Sequence, residues 1–144
     1  MILNANGRRP PPEFAVLVLD INNLKGTNDQ YGHEAGNQLI VAASRIIADT
    51  FKRSPVFRIG GDEFLVILRN RDLQNHENLI REVSASCEEK FLIWGNQTIP
   101  VSIAIGIAEY DPRMDSSFTD VFNRADSAMY ENKRKKKARM STHV

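Results

Sequence analysis

Three carboxylates stand where the sequence pattern ends one strand and turns between two others. Asp20 closes the apolar run "FAVLVLDI", while Asp62 and Glu63 follow Gly60 and Gly61 inside the apolar stretch "VFRIGGDEFLVIL". Carboxylates that converge from neighbouring strand ends make a hard, oxygen-rich site suited to Mg²⁺. Such ions bridge nucleotide phosphates, activate a hydroxyl and stabilise a leaving oxygen, so these residues favour metal-assisted phosphoryl chemistry. The structural alternative for Asp62 and Glu63 is a polar hairpin tip.

The polar segment after Asp20 supplies groups that bind phosphate. The stretch "NNLKGTNDQYG" is punctuated by glycines and is predicted as a loop or irregular turn, with free backbone N–H groups and the ammonium of Lys25. Gly60 and Gly61 carry no side chain, so a ligand can approach the backbone closely. They also predict a two-residue hairpin turn that uses the positive φ available to glycine.

The elements that must position these groups alternate between strand and helix periodicity. Short apolar runs predict strands at Phe14–Ile21, Val56–Ile59, Glu63–Arg69 and Val101–Glu109, with further strand residues around Gly95 and Asn96. Amphipathic spacing predicts helices at Glu34–Phe51, Asn75–Phe91 and Ser116–Lys137. The order β-α-β-β-α-β-β-α contains a central hairpin, which requires a mostly antiparallel sheet flanked by helices. We therefore predict an α/β (α+β) domain of ferredoxin-like or polymerase-palm architecture, with Asp20 beside the hairpin tip.

Composition narrows the classes of partner and compartment. The chain has 144 residues, 42% of them hydrophobic, which suits one domain with a core. Its formal net charge of +1 gives no overall reason to expect nucleic acid or an anionic membrane as a partner. The single cysteine, Cys87, suits a reducing compartment, and no apolar run approaches the roughly 20 residues that span a bilayer. We expect a cytoplasmic domain, alone or as the cytoplasmic part of a larger, membrane-bound protein.

The combined motifs resemble one known family. "GGDEF" is the signature of the GGDEF domains, which are diguanylate cyclases, and "LVLDINNLKGTNDQYGHEAGNQLI", "VSIAIGIA" and "ADSAMYENKRKKK" resemble their first-strand, late-strand and last-helix motifs. The resemblance implies a bacterial signalling enzyme that condenses two GTP into cyclic di-GMP with release of pyrophosphate. It further implies two Mg²⁺ ions per active site, with Mn²⁺ as a substitute, and a homodimer in which each subunit holds one GTP.

The same resemblance assigns roles to individual residues. It implies that Asp20, Asp62 and the carbonyl of Ile21 bind metal, and that Glu63 acts as a base or supports the metal. The substrate-binding residues that it implies are Asn28 and Asn37 for guanine, and Asn23, Leu24, Lys25, Lys133 and Lys137 for phosphate, beside Gly60 and Gly61.

The resemblance also divides the chain. We expect a connector at residues 1–13, the GGDEF catalytic domain at 14–138 and a tail at 139–144. The connector contains three consecutive prolines, which exclude a helix there. Its abrupt start predicts an upstream sensor or regulatory domain that this chain lacks.

Departures from the family pattern leave other functions open. Asn37 stands where the family has a guanine-reading aspartate, so a promiscuous cyclase that also uses ATP and makes cyclic GMP–AMP is one alternative. The other is a catalytically degenerate domain that binds GTP and regulates a partner, against which the intact carboxylates argue. The inhibitory product-binding motif is missing, since Phe51 and Ser54 occupy its arginine and aspartate positions, so we expect little inhibition by cyclic di-GMP.

Overall fold

A computed structural model describes the backbone of residues 13–142 and the side chains of residues 13–135. Most of the predicted connector and the side chain of Lys137 therefore lie outside the described residues. The elements, in chain order, are β1 (Ala15–Ile21), α1 (Leu24–Tyr31), α2 (His33–Thr50), β2 (Val56–Arg58), β3 (Glu63–Leu68), α3 (Asn70–Gln74), α4 (His76–Glu89), β4 (Phe91–Trp94), β5 (Gln97–Pro100), β6 (Ile103–Glu109) and α5 (Phe118–Thr142).

The main sheet has the strand order β2-β3-β1-β6, and every neighbouring pair is antiparallel. β1 and β2 run in the same direction with β3 between them, which is the split β-α-β arrangement. A separate two-stranded sheet, β4-β5, forms a hairpin before β6. The predicted α+β fold is confirmed, and β1 lies at the centre of the sheet beside β3.

Helices cover both faces of this sheet. Leu17 and Leu19 of β1 belong to a core shared with α2 and α4, whereas Val16 and Val18 belong to a core shared with α5. β1 is thus buried on both faces, which explains why its sequence is continuously apolar rather than alternating. At the outer edge of the sheet, the N–H of Ile105 in β6 donates to the side-chain oxygen of Asn132 in α5 over 3.1 Å.

The predicted loop after Asp20 is wrong, because the chain forms helix α1 there. Asn23 turns the backbone in the left-handed region at φ 62°, and the N–H of Thr27 then donates to the carbonyl of Asn23 over 3.0 Å. Gly32, at φ 93°, separates α1 from α2. The sequence did not predict this helix because only Thr27 in it is buried, so its residues show no apolar periodicity.

The turn between β2 and β3 also differs from the prediction. Four residues separate Arg58 from Glu63 instead of two, and the N–H of Ile59 donates to the carbonyl of Glu63 over 2.9 Å. Among the described residues, the glycines with positive φ are Gly32 and Gly95, so neither turn glycine uses that region. The prediction of a tight two-residue hairpin turn at Gly60 and Gly61 is therefore wrong. The turn is wider and does not need glycine at positive φ.

Two further differences concern an additional helix and the bounds of the last helix. The short helix α3 was not predicted and begins at Asn70, which adopts φ 52°. The last helix extends over Phe118–Thr142 instead of Ser116–Lys137. None of the helices within residues 13–142 is long and apolar enough to cross a membrane.

Candidate active site

The end of β1 and the start of β3 bring the predicted carboxylates together. Asp20 is the register partner of Glu63 in the antiparallel β1-β3 pair. The N–H of Ile21 donates to the carbonyl of Asp62 over 2.8 Å, which ties the turn to the end of β1. These backbone bonds fix the position of all three acidic residues at the centre of one sheet end.

Asp20 is buried, with only 7% of the residue exposed. Its Oδ2 accepts a hydrogen bond from the Lys133 ammonium of α5 over 2.9 Å, while its Oδ1 has no hydrogen-bond partner among the described residues. Burial raises the pKa of Asp20, the Lys133 hydrogen bond opposes that rise, and the neighbouring Asp62 adds to it. The site therefore concentrates negative charge, which Lys133 offsets in part among the residues whose side chains the structure describes.

A fourth carboxylate, Asp126 of α5, was missed by the sequence analysis. Burial, the largest cause, raises the pKa of Glu63 to about 7, and the hydrogen bond that protonated Glu63 donates to Asp126, together with the charges of Asp126, Asp20 and Asp62, acts in the same direction. Asp126 precedes Lys133 by seven residues, which places both on one face of the helix. That spacing was the available signal, since Lys133 had been assigned to the site.

The donors present fit a divalent cation. The unpartnered Oδ1 of Asp20 is a hard, buried oxygen, and Asp62 lies within hydrogen-bonding reach of Asp20. Within the described part of the chain, no group of three or more His, Cys, Asp or Glu side chains is arranged as a metal cage. Magnesium commonly takes one or two carboxylates and completes its shell with phosphate oxygens and water, so this donor set suits a metal that arrives with a nucleotide.

The phosphate-binding groups predicted after Asp20 lie at the start of α1. Asn23 is the N-cap and makes no side-chain capping bond, and the first turn contains no acidic residue. The N–H groups at the beginning of a helix have no intrahelical partner, and the helix dipole favours an anion there. Lys25 is 93% exposed and forms only a loose pair with Asp29 at 3.7 Å, so its ammonium is available. A helix N-terminus thus supplies what was expected of a loop.

The two residues assigned to guanine lie on packed neighbouring helices. Asn28 is half-buried in α1, and Asn37 is exposed in α2. The Asn28 side chain occupies the space beside Gly36, the residue that precedes Asn37. The structure therefore brings the Asn28 amide next to the backbone that carries Asn37, and their role in base recognition stays a prediction.

Comparison with known proteins decides the family. Residues 2–139 match the family described as "Diguanylate cyclase, GGDEF domain". The chain belongs to the GGDEF family. This GGDEF domain is 31% identical over 140 residues to diguanylate cyclase A of Treponema denticola, a match that covers 96% of the chain but only 37% of that relative.

Solved structures of GGDEF-family proteins have the same fold as this chain. The diguanylate cyclase SiaD of Pseudomonas aeruginosa, solved with its activator SiaC, matches with a TM-score of 0.77 and 26% identity over 86% of this chain and 47% of that one. The GGDEF domain of DgcB from Caulobacter crescentus, solved with c-di-GMP, matches with a TM-score of 0.76 and 29% identity over 84% of this chain and 72% of that one.

The signature turn of this GGDEF domain is held by an arginine that the sequence analysis missed. The guanidinium of Arg58 donates to the carbonyl of Gly60 over 3.1 Å and to that of Gly61 over 2.9 Å. Among the described residues, nothing lies within 4 Å of a β-carbon placed on Gly61. The turn backbone is therefore open on that side, as close approach by a ligand would require.

The positions of the missing inhibitory motif lie elsewhere in the GGDEF domain. Phe51 is 1% exposed and belongs to the core, and the Ser54 hydroxyl donates to Asp72. Ser54 lines a cleft of about 280 Å³ with Arg53 and Arg69, at the opposite end of the β2-β3 pair from the carboxylates. Neither position offers a charged group, so weak product inhibition stays the prediction.

Proposed function

We propose that this GGDEF domain is a diguanylate cyclase. Each of two GTP molecules uses its 3′-hydroxyl oxygen to attack the α-phosphorus of the other. Two P–O bonds form, two pyrophosphates leave and the two hydroxyl protons are released. The observation that carries the proposal is the meeting of Asp20, Asp62 and Glu63 beside the Lys133 ammonium at one sheet end.

The residues of the site would have three roles, which are to bind the metal, to orient the phosphates and to accept a proton. Asp20 and Asp62 would hold Mg²⁺, with the Ile21 carbonyl as a further oxygen, and the bound metal would neutralise phosphate charge and activate the attacking hydroxyl. Lys133 and the first turn of α1 would orient the phosphates that leave. In the metal-free site burial raises the pKa of Glu63 to about 7, and this carboxyl would be the group that takes the hydroxyl proton.

The chemistry requires two copies of the site. One set of carboxylates with one helix N-terminus accommodates one of the two GTP molecules, so a homodimer with facing sites would complete the reaction. The chain spans 37% of the length of its Treponema relative, so an upstream sensor or regulatory domain that brings two copies together belongs to the proposal. The proposed substrate, GTP, is a cytoplasmic nucleotide, so a cytoplasmic location belongs to the proposal.

The proposal is tested by product analysis with a matched variant. Purified protein is incubated with GTP and Mg²⁺, pyrophosphate release is followed, and the nucleotide product is identified by mass spectrometry. Asp62→Ala should reduce turnover by about a thousandfold, since a metal contributes several kcal/mol of charge stabilisation. Asp49→Ala, an exposed acidic position on α2, is the control and should leave turnover unchanged.

The outcomes separate the candidates. Cyclic di-GMP formed by the wild type and by Asp49→Ala, but not by folded Asp62→Ala, supports the assignment. GTP binding without any product would instead support the regulatory domain. Wild-type turnover that survives Asp62→Ala would contradict the site.

A further inference from the structure

Gly36 of α2 lies against the side chain of Asn28. A β-carbon built on Gly36 would stand 2.7 Å from Cγ of Asn28 and 3.3 Å from its Nδ2, and still closer to its Oδ1. Real β-carbons essentially never approach a heavy atom that closely, so any other residue at position 36 must displace the Asn28 amide. Gly36 itself is buried.

This close approach has no conformational origin. Gly36 is inside a helix and does not use positive φ, and glycine there is less favourable than alanine. The absence of a β-carbon at Gly36 therefore matters because it leaves space for another group. The side chain of the half-buried Asn28 occupies that space. The adjacent Asn37 is exposed on the same turn of α2.

We infer that Gly36 is a specificity-determining positioning residue: its missing β-carbon sets the Asn28 amide beside Asn37, where the two amides together receive the base edge of the nucleotide. The inference rests on the proposed function. An amide offers both an acceptor and two donors, so its displacement removes hydrogen bonds to the base without touching the carboxylates that carry out the chemistry.

The test is a double-mutant cycle between positions 36 and 28 with GTP as the probe. Gly36→Ala should raise KM for GTP about two- to tenfold, the loss of one ordinary hydrogen bond, and change kcat little. Asn28→Ala should have a similar effect. Gly36→Ala made in the Asn28→Ala background should add nothing, because a residue that acts through another has no effect once that partner is absent.

A stability measurement runs beside the kinetics. In the Asn28→Ala background, Gly36→Ala should raise the melting temperature, since alanine is the better helix former and the space is now open. In the wild-type background this gain should be absent, because the added methyl meets Asn28. Gln38→Ala, exposed two residues further along α2, is the control and should leave KM unchanged.

Each outcome bears on one proposal. If the wild type neither binds nor converts GTP, the proposed function and the inference that rests on it both fail. If the wild type converts GTP and Gly36→Ala does so with the same KM, only the inference fails. A KM effect of Gly36→Ala that persists undiminished without the Asn28 side chain also overturns it, since position 36 would then act by another route.

Discussion

Gly106 of β6 is the point at which α5 lies directly on the sheet. A β-carbon added there would stand 2.7 Å from the backbone carbon of Ala128, and closer still to the backbone N of Met129 and the carbonyl oxygen of Ala125. All three atoms belong to the helix backbone, so no single side chain can move aside. Gly106→Ala must push the whole helix away from the sheet.

The size of this effect follows from the distances. Ordinary contact begins near 3.4 Å, so the helix must move outward by about 1 Å. Overpacking of this kind costs about 1–3 kcal/mol, which lowers the urea midpoint by about 1 M for a domain of this size. α5 also carries Lys133 and Asp126, and a misplacement of about 1 Å in an active site can cost about a hundredfold in rate.

The assay combines urea unfolding with turnover per folded molecule. Gly106→Ala should unfold at lower urea and also lose turnover while folded. Ile107→Val, one residue along on the other face of β6, is the control, since it costs about 0.5–1.5 kcal/mol without moving α5. Unchanged turnover in folded Gly106→Ala, or an equal loss in Ile107→Val, would refute the reasoning that α5 places the site groups.

Three further predictions concern assembly, base choice and pH. Because each subunit would hold one GTP, specific activity should rise with enzyme concentration; a constant value from nanomolar to micromolar protein, with a monomer throughout by light scattering, contradicts the two-subunit reaction. The Asn37 amide can pair with guanine or adenine, so Asn37→Asp should sharpen the GTP/ATP ratio of kcat/KM about tenfold to a hundredfold, the worth of a hydrogen bond to a charged acceptor; an equally strict wild type argues against this role. Asp115 is buried and its pKa is lowered, chiefly by its hydrogen bond with Arg124, so the stability that it contributes is present above its ordinary pKa of 3.8 and is lost as pH falls through the lower folded value. Asp115→Asn should therefore cost about 1.5–3 kcal/mol at pH 7, and thermal unfolding should show that this difference shrinks below pH 3.8; a difference that does not change with pH contradicts the ion pair.

The sequence allowed the sheet centre and the carboxylate cluster to be predicted because both depend on short-range patterns. The run that ends at Asp20 is apolar on both faces, which places it centrally, and the hairpin after it lies alongside. The spacing of seven residues from Lys133 places Asp126 on the same face of α5, but its pairing with Glu63 also depends on how closely α5 lies on the sheet. That close approach is visible at the bare backbone of Gly106, and sequence periodicity does not report it.

Helix α1 escaped prediction for a related reason. Its one buried side chain belongs to Thr27, and its propensity is low because Gly26, Thr27, Asn28 and Asp29 are poor helix formers. What stabilises it is its contact with α2, where Gly36 accommodates Asn28. Tertiary packing supplied the stability that the local sequence lacks.

The bond between the Ile105 N–H and the Asn132 side chain has a consequence for α5. Asn132 and Lys133 are consecutive, and successive helical residues point about 100° apart. Asn132 accepts a hydrogen bond from the edge strand β6, and Lys133 donates a hydrogen bond from its ammonium to Asp20 over 2.9 Å. The edge bond, together with the buried Val121, Ala125 and Met129, therefore fixes the rotation of α5 about its own axis. A rotation of α5 by a fraction of a turn would break the bond between Ile105 and Asn132. The same rotation would move the Lys133 ammonium away from the buried Asp20 carboxylate.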